Sequence, residues 1–209
     1  MTLFKNKYRI ESTRLKGYDY SQPGEYFVTV NTKNHKCLFG TVTEEGMRLS
    51  PVGKIAKGFW EEIPKHFHNV ELDEFIIMPN HVHGIIIINE NDATVDSKNN
   101  CRDVQLNVST IENTKSKLYG RDIACNISSA GKMMRKSPKR GSLGAIIRSY
   151  KSAVTNWCHE NNFGNFQWQP RFYEHIIRNE KDLQNIRDYI VNNPIKWFSD
   201  KENPDVVET

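Results

Sequence analysis

The sequence has no long run of apolar residues. Its two longest runs, residues 75–78 and 85–88, are four residues each, whereas a helix needs about 20 apolar residues to cross a bilayer. The first 17 residues contain no apolar core of the kind that secretory signals carry. We therefore expect a cytoplasmic protein that makes no contact with a membrane.

Cysteine is scarce and scattered. No C-x-x-C pair occurs, which argues against a zinc knuckle, and the wide spacing argues against a disulfide framework. A glycine-rich Walker loop is also missing, so the sequence shows no sign of nucleotide hydrolysis. The net charge of +4 permits an acidic partner but does not require one. The four cysteines are Cys37, Cys101, Cys125 and Cys158.

Hydrophobic periodicity predicts a mixed α+β domain. Alternating apolar residues predict a strand at 25–31, and strong apolar runs predict two more at 70–78 and 81–88, joined by a tight turn at Pro79 and Asn80. Helical spacing appears at residues 52–67, after Ser142, and after Asn179. The candidate N-cap residues of these helices are Ser50, Ser142 and Asn179. Two further segments have strand character, a hairpin centred on residues 43–46 and an extended stretch over 166–178.

A polar segment divides this pattern into two parts. Residues 89–140 contain one aromatic residue, Tyr119, and have a net charge of +4, which equals that of the whole chain. We predict one domain formed by residues 1–90 and 141–198, an irregular basic insertion at 91–140, and a tail at 199–209. The insertion either has a function of its own or is a solvated excursion without a role.

Two histidines stand at alternate positions of a predicted strand. Side chains at i and i+2 point to the same face, so the imidazoles of His81 and His83 lie side by side. Such a pair is half of a metal site, although two ordinary surface histidines would give the same pattern. Because the cysteines are not clustered, the remaining ligand would be an oxygen, which suits Mg²⁺ or Mn²⁺.

A tyrosine and an asparagine share one face of the last predicted helix. Tyr189 and Asn193 are four residues apart, so their side chains lie one turn from each other. A hydroxyl nucleophile beside a metal-binding amide would suit covalent catalysis. Taken alone, however, this spacing is also common among ordinary surface and core residues.

Three stretches of the chain resemble a known family. The sequence MPNHVHG at 78–84, followed by four isoleucines, resembles the His-hydrophobic-His element of the HUH endonucleases. The sequences WQPRFYEH at 168–175, with Arg178 just beyond, and DYIVNNPIK at 188–196 resemble the REP-associated tyrosine transposases, a single-tyrosine group of those enzymes. The resemblance spans nearly the whole chain except the insertion and the last dozen residues.

This resemblance implies a fold and a set of site residues. The implied fold is α+β, a ferredoxin-like or RRM-like antiparallel sheet with helices packed on one face. The family's metal-binding histidines correspond to His81 and His83, its nucleophile to Tyr189, and its third metal ligand to Asn193. Tyr173 is the rival nucleophile, but no obvious ligand follows it four residues on.

The implied activity is cleavage and rejoining of single-stranded DNA near hairpin-forming repeats. The family acts through a 5′-phosphotyrosine intermediate with Mg²⁺ or Mn²⁺, and a homodimer is a further partner to test. One alternative is a host-adopted DNA-binding protein of the same fold with little or no cleavage activity. A metal-dependent phosphodiesterase or an RNA-binding module is a third.

Basic and aromatic residues near these motifs are candidates for DNA contacts, and for each a structural role is the competing interpretation. His175, Trp168 and Tyr173 are candidates for supporting the site or stacking on unpaired bases. The candidate phosphate contacts are Arg148, Lys151, Arg171, Arg178 and Lys196, with Lys136, Lys139 and Arg140 in a basic arm.

Overall fold

The computed structural model describes residues 14–15, 17–90, 138–200 and 202–204, together with the paired backbones of two short strands, β1 (Leu3–Phe4) and β2 (Tyr8–Arg9). Nearly all of the predicted insertion, including Lys136, lies outside the described residues. The division of the chain into a domain, an insertion and a tail therefore stays a prediction.

A four-stranded antiparallel sheet forms the centre of the molecule. Its strands are β3 (Gly24–Asn31), β6 (Val70–Ile77), β7 (His81–Ile88) and β8 (Tyr173–Ile177), in the spatial order β6-β7-β3-β8. A separate hairpin pairs β4 (Gly40–Thr43) with β5 (Gly46–Leu49). The predicted extended stretch over 166–178 contributes only β8 to the sheet, and an isolated bridge joins Thr32 to Trp168.

Side-chain caps begin the three longer helices. Ser50, Ser142 and Asn179 each accept a hydrogen bond from a backbone N–H of the first turn, as the sequence predicts. Proline ends the helical runs early, because it lacks the N–H that continues the hydrogen-bond ladder. The helices are α1 (Pro51–Glu61), α2 (Ile63–His66), α3 (Leu143–Glu160), α4 (Glu180–Val191) and α5 (Asn193–Lys196).

The predicted helix over 52–67 is thus two helices that meet at Glu62, before Pro64. The last predicted helix is interrupted in the same way at Asn192, before Pro194. Asn192 keeps right-handed helical backbone angles. Tyr189 and Asn193 therefore lie on different helices, but Asn193 is still about one helical turn beyond Tyr189.

The strand and helix order confirms the predicted α+β, ferredoxin-like class. In chain order the elements β3, α1, β6, β7, α3 and β8 follow the βαββαβ pattern. Helices α1 and α3 pack on one face of the sheet, where Trp60 and Tyr150 are fully buried. The expectation placed all helices on that face, whereas α4 covers the other one. There a second cluster joins Leu183 and Ile190 to Phe27, Ile85 and Ile177.

A partly buried ion pair attaches α4 to the edge strand β6. The guanidinium of Arg187 donates to both carboxylate oxygens of Asp73, with N···O distances of 2.6, 3.0 and 3.2 Å. Asp73 lies at an irregularity of strand pairing between Leu72 and Phe75. Two parallel hydrogen bonds restrict orientation more than one contact does, so this pair sets how α4 lies on the sheet. No helix among the described residues is long and apolar enough to span a membrane.

Gly84 lets a tryptophan pack against the strand that carries the histidines. A Cβ atom at this position would lie 2.4 Å from the Trp60 ring and 3.0 Å from Phe75 Cβ. Trp60 is fully buried and cannot move outward. We predict that Gly84→Ala lowers the free energy of unfolding by about 1–3 kcal/mol through overpacking.

Urea denaturation measures this loss, and Gly164→Ala is the matched control because its Cβ would meet open space. The control should change the free energy of unfolding by less than about 0.5 kcal/mol. Equal effects of the two substitutions would show that Trp60 does not pack as described.

Candidate active site

His81 and His83 lie on the central strand β7, and both side chains are buried. They project from the sheet face that α4 covers, and their ring centroids are 4.3 Å apart. Across the strand pair, His83 faces Thr29 and His81 faces Asn31. Both histidines are therefore interior residues, and the alternative of two ordinary surface histidines is excluded.

Both nitrogens of His83 have partners. Nδ1 is 2.9 Å from the Thr29 hydroxyl, and Nε2 is 3.2 Å from the Tyr189 hydroxyl. Burial lowers the pKa of His83 to about 3, so the ring is neutral and one nitrogen carries a lone pair. A neutral imidazole held in place by a hydroxyl on the far nitrogen is the form in which histidine binds a metal.

One nitrogen of His81 has no partner. Nδ1 is 2.7 Å from Oδ1 of Asn80, whereas Nε2 is buried and makes no hydrogen bond. Burial lowers the pKa of His81 well below its ordinary value, and the neighbouring His83 and His35 lower it further. The ring is therefore neutral as well.

Asn193 adds a buried amide group whose oxygen has no hydrogen-bond partner. The residue is 1% exposed, and Oδ1 accepts no hydrogen bond from the described residues, whereas the amide lies close enough to the Tyr189 hydroxyl to lower the pKa of that group. A buried polar group without a partner costs about 1–3 kcal/mol, so such groups are uncommon unless something binds them. An amide oxygen beside two imidazole nitrogens fits a divalent ion that accepts mixed N and O ligands.

This donor set depends on the asparagine. Among the residues that the structure describes, no group of three His, Cys, Asp or Glu side chains could hold a metal ion. Two buried atoms have no hydrogen-bond partner among the described residues, His81 Nε2 and Asn193 Oδ1. These free acceptor atoms make the group suitable for a metal. The proposed metal ligands are therefore His81, His83 and Asn193.

The Tyr189 hydroxyl is protonated and lies against the histidines. Burial raises the pKa of Tyr189, the carboxylates of Asp200 and Glu202 raise it further, and the nearby Asn193 amide acts in the opposite direction. The ring meets Phe27 edge-on, with a centroid distance of 6.0 Å. The residue as a whole is 38% exposed, so part of the side chain faces solvent.

Tyr173, the rival nucleophile, lies on the edge strand β8 and is 49% exposed. Its ring meets Phe27 at 6.3 Å. Of the two tyrosines, only Tyr189 hydrogen-bonds to a candidate metal ligand among the described residues, and that ligand is His83. The structure therefore brings together Tyr189, His81, His83 and Asn193 within one chain.

The candidate phosphate contacts fall into two groups. Lys151 donates to the backbone carbonyls of Gln169 and Arg171, and burial lowers its pKa to about 8. Lys139 pairs with Asp19 at 2.9 Å. These two lysines have structural partners, whereas the others are exposed and form no ion pair among the described residues: Arg140, Arg148, Arg171, Arg178 and Lys196.

Trp168 and His175 also have structural contacts. The Trp168 indole donates to the Lys151 carbonyl at 3.0 Å, and its ring packs on Tyr150 and Phe166. His175 is 2.9 Å from Asp182 in the first turn of α4. These contacts pack Trp168, which is partly buried, against the core, and they let His175 hold α4 to β8.

The sequence interpretation missed the C-terminal tail. Glu202 accepts a hydrogen bond from Asn31 at 2.8 Å, lies 3.0 Å from His35, and receives a bond from Asn80 at its carbonyl. No sequence pattern marks Glu202 as a site neighbour. Asn80, in contrast, stands inside the MPNHVHG motif, and only its role in the turn was considered.

Comparisons with known proteins give relatives in sequence and in fold. No family model matches the chain. An uncharacterized protein of Haemophilus influenzae is 38% identical over 193 residues, which is 91% of either chain. A REP-associated tyrosine transposase of Escherichia coli is 24% identical over 177 residues, covering 85% of this chain and 70% of the relative.

The fold also matches a solved structure, described as a REP-associated tyrosine transposase bound to a REP hairpin. The TM-score is 0.50 at 20% identity, and the match covers 90% of this chain and 74% of that one. The chain is therefore similar in sequence and in fold to REP-associated tyrosine transposases, and these similarities support a place in a family of that type.

Proposed function

We propose that this protein is a metal-dependent endonuclease and strand transferase that cleaves single-stranded DNA near hairpin-forming repeats. The observation that carries the proposal is the contact between the Tyr189 hydroxyl and His83 Nε2 at 3.2 Å. The proposed nucleophile thus contacts one of two neighbouring imidazoles, and Nε2 of the other, His81, is buried without a hydrogen-bond partner among the described residues. The transposase relatives support the same reaction class.

The reaction is a transfer of a phosphodiester to tyrosine. Tyr189 Oη attacks the phosphorus in line, so that an Oη–P bond forms and the P–O3′ bond breaks. The tyrosine proton is lost, the O3′ atom takes up a proton, and a 5′-phosphotyrosine and a free 3′-OH result. A second 3′-OH can reverse the step and join strands, because the bond energy stays in the covalent intermediate.

The hydroxyl has to be activated, since an ordinary tyrosine has a pKa near 10 and burial and acidic neighbours raise it here. A divalent ion, Mg²⁺ or Mn²⁺, held by His81, His83 and Asn193 would supply a Lewis acid for a non-bridging phosphate oxygen. Such an ion, bound at His83 Nε2, would take the place of the hydrogen bond between His83 and Tyr189, and would leave the tyrosine hydroxyl available to the substrate.

Hairpin DNA is the proposed substrate, because the solved neighbour is described as bound to a REP hairpin. Exposed basic residues without ion-pair partners flank the site and can contact phosphates. Arg171 precedes the edge strand β8, and Lys196 follows Asn193 on α5. A homodimer stays a proposal, since the tyrosine and the histidines already meet within one chain.

The nucleophile is tested by incubating the protein with a labelled hairpin oligonucleotide and Mn²⁺. The intact protein should form a covalent adduct that survives denaturing electrophoresis. Tyr189→Phe should abolish the adduct, because no oxygen is left to attack, while Tyr173→Phe is the matched control and should retain it. Hairpin affinity should persist in Tyr189→Phe, which separates loss of chemistry from loss of binding.

Two outcomes would contradict the proposal. An adduct that persists in Tyr189→Phe and disappears in Tyr173→Phe would show that Tyr173, and not Tyr189, is the nucleophile. Tight hairpin binding without any adduct from the intact protein would favour the alternative of a host-adopted DNA-binding protein.

The proposed phosphate contacts predict a change in salt dependence. Removing both charges in Arg171→Ala/Lys196→Ala should reduce the slope of log K against log salt by roughly one for each phosphate that the protein no longer neutralises. Lys57→Ala is the control, because Lys57 pairs with Glu61 on α1, across the sheet from the site. Fluorescence anisotropy with the hairpin between low and moderate salt measures the slope, and an unchanged slope in the double variant would rule out both contacts.

A further inference from the structure

Asn80 is a fully buried asparagine directly before the first histidine. It lies in the turn between β6 and β7, where its backbone carbonyl accepts from the Thr32 N–H at 2.8 Å. Every polar atom of its side chain has a partner within the protein. A buried amide so fully bonded has a fixed orientation, and each of its atoms has a defined role as donor or acceptor.

The partners of Nδ2 determine that orientation. Nδ2 is 3.1 Å from the His35 carbonyl and 2.5 Å from the Glu202 carbonyl. Carbonyl oxygens only accept, so the NH₂ group of Asn80 has to face them. Rotating the amide by 180° would place two carbonyls against Oδ1 and leave both without a donor.

The acceptor end of the amide then sets the tautomer of His81. Oδ1 can only accept, and it is 2.7 Å from His81 Nδ1. His81 Nδ1 must therefore carry the proton, and Nε2 keeps the lone pair. Nε2 is buried and has no hydrogen-bond partner among the described residues.

The constraint reaches beyond the turn. One of the two carbonyls belongs to Glu202, in the segment that follows the helices of Tyr189 and Asn193. The Glu202 carboxylate is also bonded to Asn31, which faces His81 across the strand pair. The segment after the nucleophile helix thus helps to orient the amide that holds the first histidine.

We propose that Asn80 is a positioning residue of the metal site, which holds His81 in the Nδ1–H tautomer so that Nε2 is free to bind a divalent ion. This inference rests on the proposed metal site but has its own observable, the protonation of one ring nitrogen in the metal-free protein. It assigns a chemical role to the residue before the histidine pair.

The tautomer is measured by long-range ¹H–¹⁵N correlation spectra of the metal-free, ¹⁵N-histidine-labelled protein. The intact chain should show His81 with a pyrrole-type Nδ1 and a pyridine-type Nε2. Asn80→Ala removes the acceptor, so the signals should change toward a mixture of tautomers. Asn80→Asp keeps an acceptor oxygen and should retain the Nδ1–H form.

The second readout is Mn²⁺ affinity by titration calorimetry, with Mn²⁺ alone as the probe. Loss of a residue that orients a metal ligand typically weakens metal binding about 10- to 100-fold, and we expect that range for Asn80→Ala. Asn203→Ala is the control for a loosened tail, because Asn203 is buried in the same segment and donates to the Trp197 carbonyl. It should leave the tautomer unchanged.

The proposal is overturned if His81 carries its proton on Nε2 in the intact chain, or if Asn80→Ala leaves both the tautomer and the Mn²⁺ affinity unchanged. Equal effects of Asn203→Ala and Asn80→Ala on the tautomer would likewise overturn it, because the tail alone would then be responsible. Thermal unfolding of each variant confirms that the folded state is compared. If the tautomer responds as expected but no DNA adduct forms, the proposed function fails and the positioning role stands.

Discussion

The antiparallel register of β3 with β7 is the constraint on which the site depends. It sets Thr29 against His83 and Asn31 against His81 in the middle of the sheet. Helices α1 and α3 cover one face and α4 covers part of the other, so the two imidazoles lie where charge is costly and both stay neutral. A slip of one residue would turn both histidines to the opposite face and replace them with Val82. The chemistry of the site therefore follows from strand pairing.

Two elements from the far end of the chain complete the site. Helix α4 brings Tyr189, the proposed nucleophile, to a histidine that is 106 residues earlier in the sequence, and the Arg187–Asp73 pair orients that helix on the edge strand. The tail then contacts the start of β7, because the Glu202 carbonyl accepts from Asn80. The proposed metal ligands therefore lie next to a tyrosine that is 38% exposed, an arrangement that suits the proposed reaction.

Local patterns in the sequence were sufficient to predict much of the fold and part of the candidate site. Alternation and apolar runs predicted the central strands, and the capping residues of the three longer helices were predicted correctly, because these signals depend on neighbours in the chain. Histidines at alternate positions gave the shared face of His81 and His83 directly. The pairing of Tyr189 with those histidines came from the family resemblance, since spacing within one helix carries no information about a strand 106 residues away.

Other features depend on tertiary contacts that leave no local pattern. The second helix layer arises from α4 packing on Phe27 and Ile85, and the involvement of Glu202 arises from the path of the tail. The central claim, that His81, His83 and Asn193 hold one divalent ion, is tested most directly by pulsed electron paramagnetic resonance of bound Mn²⁺. The account predicts magnetic coupling to two imidazole nitrogens in the intact protein and to one in His81→Ala. Bound Mn²⁺ without any coupled nitrogen would contradict it.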